Sequence, residues 1–208
     1  SRPRNVISPD PSASGFRPVF PVEQGTWKSM AGRIDLPTPL PGLTVETEGL
    51  FGSFRSKGFG SFAGSLKFRR RWLARGLEFD GDLSGGALLG DPPRQALYLL
   101  GGRMTVPGYA FRSRVADRYW LFRAEAGYQL LPPFLSLRSF GAAGGTAYHG
   151  ALLPEPWPPA QESSSMASLG LGVGLGWDIL RLDLARGLGE GGDWAWVLSV
   201  NHDFWVWL

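Results

Sequence analysis

From Trp27 onward, apolar side chains recur at every second position. The clearest case is Leu169, Leu171, Val173, Leu175 and Trp177, which alternate with Gly170, Gly172, Gly174 and Gly176. A helical repeat would not place every bulky residue at an odd number, whereas a strand turns successive side chains to opposite faces. The segment is a strand with one bulky and one bare face. Trp120, Phe122, Ala124, Ala126, Tyr128 and Leu130 likewise alternate with Leu121, Arg123, Glu125, Gly127 and Gln129. Leu180, Leu182 and Leu184 alternate with Arg181, Asp183 and Ala185, and Trp194, Trp196, Leu198 and Val200 with Val197, Ser199 and Asn201. The pattern predicts an all-β domain over 27–208 with about nine strands, at 27–36, 43–54, 61–72, 76–89, 117–130, 134–144, 167–177, 179–187 and 194–204. Residues 1–26, with prolines at 3, 9, 11, 18 and 21, read as an extended leader or linker unsuited to a central strand.

The connections alternate in length. Leu73 to Gly76, Leu131 to Pro133 and Asp178 are tight, while 90–116 and 145–166 are long and rich in Gly, Pro and Ser. Tight turns on one side and long loops on the other are the layout of an antiparallel transmembrane β-barrel of the bacterial outer membrane, with its apolar face to lipid and its polar face to the lumen. Trp72, Phe134, Trp177, Trp194 and Phe204 lie near strand ends, where aromatic girdles meet the lipid interfaces. A soluble β-sandwich would also alternate, but it does not call for so many Trp residues at strand ends.

Charge sharpens the reading of the polar face. If the connection 73–76 pairs Trp72 with Leu77, then Arg71 faces Glu78, Arg69 faces Asp80 and Lys67 faces Asp82. Opposed charges stabilise a strand pair by roughly 0.2–1 kcal/mol each. Placing them in a lumen avoids the roughly 2–4 kcal/mol cost of an Arg or Lys at mid-bilayer. Glu46 and Glu48 on the preceding strand extend the ladder.

Composition narrows the alternatives. The 208 residues include 30 Gly, 9 Trp, 13 Phe and 17 Pro, with 43% apolar and 19% charged residues, which is too apolar and aromatic for disorder. No apolar run approaches the 18 or so residues of a helical membrane span. The chain has no Cys and only two His, His149 and His202, so a metal site would rest mainly on carboxylates, and none is expected. The formal charge of +3 comes from basic residues interleaved with acidic ones, and no nucleic-acid partner is expected.

The run G-L-G-V-G-L-G at 170–176 is strictly alternate and no helix follows it, unlike a phosphate-cradling loop; these glycines instead thin the wall and let an inner loop lie close. Glu78, Asp80 and Asp82 face cations, and Ser163, Ser164 and Ser165 have no nearby His in sequence. No catalytic constellation emerges, so the chain is expected to be no enzyme and to carry no cofactor.

Gly90 to Ser113 reads G-D-P-P-R-Q-A-L-Y-L-L-G-G-R-M-T-V-P-G-Y-A-F-R-S, and D-R-Y-W-L-F-R-A-E-A-G-Y follows at 117–128. With L-R-L-D-L-A-R at 180–186 and W-V-L-S-V-N-H-D-F at 196–204, the chain resembles, from about 43 to 204, the bacterial surface antigen superfamily of outer-membrane barrels in Gram-negative bacteria. That superfamily includes insertases for outer-membrane proteins and the transporters of two-partner secretion.

The resemblance implies a role in membrane protein assembly or protein transport, with the barrel assembly machinery and outer-membrane lipids as partners. Trp196, Leu198, Val200 and Phe204 would be the terminal assembly signal. It also implies that the loop before 117–130 folds inward, with a tip Arg-Gly-aromatic motif held by acids on the next two strands. Here the tip is Val106-Pro107-Gly108-Tyr109, with Pro107 in the Arg position. Glu125 is kept, and Ala142 stands for the second acid. Arg112 or Arg103 is a substitute partner for Glu125; Arg123 or Arg181 on the wall is an equally good one.

A sixteen-stranded barrel needs roughly 320 residues at strand-plus-loop lengths typical of such folds. The chain is therefore expected to be the carboxy-terminal half of such a barrel, completed by a missing segment or another chain, or a reduced barrel. The alternative function is a non-catalytic anchor that holds an exported partner or a larger protein's soluble domain at the outer membrane.

Overall fold

The computed structural model describes residues 23–72, 76–150, 153, 164–176 and 179–200. Eleven strands follow in chain order: β1 (Trp27–Pro37), β2 (Leu43–Phe54), β3 (Lys57–Trp72), β4 (Leu77–Gly90), β5 (Tyr98–Leu100), β6 (Arg114–Ala116), β7 (Arg118–Leu131), β8 (Leu135–Ala147), β9 (Ser164–Leu175), β10 (Leu180–Gly187) and β11 (Trp194–Val200). Nine of them form one antiparallel sheet in the order β1-β2-β3-β4-β7-β8-β9-β10-β11. Strands β5 and β6 pair with each other inside the long connection between β4 and β7.

The sheet is open. Among the described residues β1 pairs only with β2 and β11 only with β10, so the sheet does not close on itself as a barrel would. The leader 1–22, the connection 73–75, Ser163, Trp177, His202 and Phe204 lie outside the described residues.

The nine expected strands are present, with shifted ends. Strand β3 begins at Lys57 rather than 61, because Arg55 and Ser56 (φ 50° and 66°) make a two-residue hairpin turn. The side with the long loops therefore also carries a tight turn. Strands β8 and β9 run on to Ala147 and back to Ser164, shortening the expected 145–166 connection. Their added pairs are Gly, Ser, Thr and Met residues, which complete the ladder without an apolar alternation to betray it; the Thr146 and Ser164 hydroxyls lie 2.7 Å apart.

Register divides the sheet into two faces. One bears Phe51, Phe62, Leu83, Trp120, Phe122, Leu169, Leu171, Trp194, Trp196 and Leu198, all exposed, with Phe51 at 72% and Leu171 at 67%. Among the described residues no second sheet covers this outer face. The other, inner face carries the carboxylates and most of the arginines of the strands, and the β4–β7 connection packs onto it. There Leu100, Val106 and Tyr109 of that connection form a small core with Leu121, Ala142 and Met166 of the sheet, flanked by Tyr98 and Tyr119. Fully burying such an apolar side chain stabilises by about 1.5–3 kcal/mol, so the connection is held as an ordered element.

Candidate functional site: the inner face and its docked loop

The inner face is organised by a charge network that starts with the expected ladder. Lys67 lies opposite Asp82, Arg69 opposite Asp80 and Arg71 opposite Glu78. Arg69 and Asp80 form an ion pair, and Arg71 Nε meets Glu78 Oε1 at 2.6 Å. The third rung is corrected by the structure. Lys67 turns to the other neighbouring strand and binds both oxygens of Glu46 (2.7 and 2.6 Å), while Asp82 takes Arg123 at 3.2 Å. Asp82 has a cation on either side across the sheet, Lys67 and Arg123, and the long Lys side chain reaches Glu46 as readily as Asp82. Glu46 also takes Arg33 at 3.2 Å, so the ladder extends to β1; Glu48 stands opposite Arg33 in register.

The most enclosed charges centre on Arg138 of β8, a residue the sequence reading passed over. Its guanidinium lies 3.0 Å from Glu125 on β7 and 3.0 Å from Asp183 on β10, with side-chain exposures of 13%, 34% and 8% for the three. The proposed partners of Glu125 are corrected here. Arg123 is engaged by Asp82 and by the Met104 carbonyl (2.9 Å), and Arg112 lies over the Phe111 ring at 4.8 Å. Arg103 and Arg181 line the same cavity, but the salt bridge to Glu125 is made by Arg138.

Asp183 and Arg138 sit on strands separated by β9, and the residue between them in register is Gly172. A Cβ on Gly172 would collide with Asp183 Oδ1 and stand 2.9 Å from Arg138 Cγ. The bare stripe of β9 is thus the passage through which an ion pair crosses a strand. The signal was available: once β8, β9 and β10 are aligned, Arg138, Gly172 and Asp183 fall on one row.

Above this network sits the loop. Val106 is fully buried, Gly108 and Tyr109 are buried, and Pro107 lines a cavity of about 860 Å³ between loop and sheet. The loop is held by backbone contacts and by a phenol. Gly108 (φ +87°) accepts a hydrogen bond from Asp193 N–H at 2.7 Å, and its Cβ position is occupied by the backbone of Gly187. Tyr109 Oη accepts from the N–H groups of Gly189 (3.0 Å) and Ala167 (3.4 Å). Burial raises the Tyr98 phenol above its ordinary pKa, with the neighbouring Tyr119 adding to the effect, so Tyr98 remains a neutral hydroxyl. Ala142 lies in the core beneath the loop, where a carboxylate would be buried.

Trp196, Leu198 and Val200, expected from the resemblance to form a terminal signal, project from the outer face of β11, an edge strand among the described residues. Among the described residues no group of three or more His, Asp or Glu side chains is placed to hold a metal ion. The site is a charge-lined cavity under a bonded loop. Comparison with protein-family models and with curated proteins gave no match to the chain.

Proposed function

We propose that these nine strands are part of an outer-membrane β-barrel of the bacterial surface antigen type, with a role in inserting or secreting proteins. The observation that carries the reading is the division of the sheet into an outer face of exposed bulky apolar side chains and an inner face of ion pairs. Exposed apolar surface of this extent marks contact with lipid or protein. In lipid, the unpaired backbone groups of a strand edge each cost several kcal/mol, so further strands complete the ring. On this reading the 101–113 segment is a lumenal element, and β11 presents the aromatic face read by the barrel assembly machinery.

A second reading, the non-catalytic anchor, is favoured by one observation. The loop tip carries Pro107 where the resemblance implies an Arg, and Glu125 is satisfied by Arg138 within the wall. The loop then plugs the barrel without a charge-held tip.

The membrane reading is tested by purification. Heat-modifiable migration and a β-rich spectrum only in detergent are expected; a monodisperse protein in plain buffer overturns it. The two roles separate on reconstitution. Insertion of a client barrel faster than into bare lipid, and slower on deletion of 100–113, supports assembly, whereas no acceleration by the intact chain supports anchoring.

A further inference from the structure

The charges of the sheet are distributed by sign. Every carboxylate of the nine long strands points to the inner face, whereas the outer face carries only cations: Lys28, Arg70, Arg118 and Arg186. Lys28 and Arg118 have no ion pair among the described residues. Arg186 is in contact with the exposed Asp193 carboxylate at 3.2 Å and lies over the Trp194 ring at 5.6 Å. Arg118 and Arg70 lie within the apolar surface: Phe51 and Leu89 stand one row beyond Arg118, and Trp72 and Leu77 one row beyond Arg70. Arg118 stands level with Phe62 through Ala87, and Arg70 lies eight residues further along β3. At about 3.3 Å per residue that is roughly 26 Å along the strand.

Beside Arg186 the outer face is hollowed. Ala124, Ala126, Ser139 and Gly141 form a floor of small residues between bulkier neighbours, with Leu169 and Leu171 as one wall. The hollow has a volume of about 750 Å³, within the ~300–1,000 Å³ range of small-molecule sites, and Arg186 and Trp194 line one end of it. Gly141, Leu169 and Arg186 lie on one row, so the Arg186 backbone stands about 10 Å from that of Gly141 at the usual strand spacing.

We propose that this hollow seats a net-anionic phospholipid, with one acyl chain on the small-residue floor and the phosphate on Arg186. The inference deepens the proposed function and rests on the outer face meeting lipid. An apolar trench ending in a cation matches an amphiphile with an anionic head. Arg186 has donors beyond the Nη1 contact to Asp193, and a guanidinium suits phosphate oxygens. The strands' outer face offers four cations and no carboxylate, and the turn carboxylate of Asp193 meets only the Nη1 of Arg186.

The test uses the protein folded in zwitterionic micelles, with phosphatidylglycerol or phosphatidylcholine added and retained lipid read by native mass spectrometry. The wild type is expected to retain phosphatidylglycerol over phosphatidylcholine. Arg186→Gln is expected to lower phosphatidylglycerol retention roughly tenfold and abolish the preference. Ser139→Leu, which fills the floor with an apolar side chain, is expected to lower retention of both lipids. Inorganic phosphate is expected to leave the adduct in place.

Equal retention of the two lipids by the wild type, or unchanged retention in both variants, overturns the proposal. So does displacement by inorganic phosphate, or a bound protein in place of lipid. Heat-modifiable migration is recorded for every variant. A chain that folds in micelles without lipid preference sinks this inference alone, whereas one soluble without detergent sinks the membrane reading first.

Discussion

Arg138 is the residue on which the inner face turns. Its two carboxylates come from strands on either side, and Gly172 keeps the path to Asp183 clear. Removing one member of an enclosed, hydrogen-bonded charge group costs more than the group contributes as a whole, about 3–5 kcal/mol, because the remaining charges stay desolvated. Arg138→Met is therefore expected to lower the unfolding free energy, read from denaturant titration in micelles, by that order, with most of the loss recovered when Asp183→Leu and Glu125→Leu are added. A single variant as stable as the wild type would show that the guanidinium is not needed there. The rungs at Arg69–Asp80 and Arg71–Glu78 are more exposed, at 68% and 59% for the two arginines. Exchanging charge across the Arg69–Asp80 rung (Arg69→Asp with Asp80→Arg) is expected to change stability by under about 1 kcal/mol, while either single reversal destabilises.

At the scale of the element, the loop between β4 and β7 depends on close backbone approach more than on charge. Gly108 has a positive φ and lies against Gly187, so any side chain at 108 meets both backbone strain and a collision. Gly108→Ala is expected to release the loop tip, read as limited proteolysis within 101–113 that the wild type resists, with the sheet's spectrum unchanged. Tyr109→Phe removes an acceptor for two N–H groups and is expected to cost about 1–3 kcal/mol, the usual penalty for leaving buried donors unmet.

The strands were legible in the sequence because period 2 survives wherever bulky residues alternate, and Trp72 pairs with Leu77 as the tight connection required. The loop's inward fold was legible only through resemblance. Its anchors are Gly108, Gly187 and a tyrosine hydroxyl, which have no periodic signature. Arg138 was missed because its partners lie on two other strands and become neighbours only once the register is known. The Lys67 rung was misassigned for a related reason: register fixes which Cα atoms oppose one another, but a long flexible cation chooses between carboxylates on both sides.

For the whole molecule, the decisive asymmetry is between faces. A cation placed at the middle of the outer face is expected to be costly only if that face meets hydrocarbon. Leu171→Arg should reduce folding into lipid vesicles by about 2–4 kcal/mol. Equal folding of variant and wild type in vesicles would contradict a lipid-facing stripe.

The strand count carries its own arithmetic. Nine strands in strict up-and-down order leave β1 and β11 running in the same direction. A ring whose neighbours all oppose one another needs an even number of staves, so bending this sheet round until its rims meet produces one parallel seam. A second copy facing the same way produces two. Whatever fills the gap with opposed neighbours throughout must bring an odd number of strands, beginning and ending with one that descends where these rims ascend. The parity of any completing segment is thus fixed before its sequence is known.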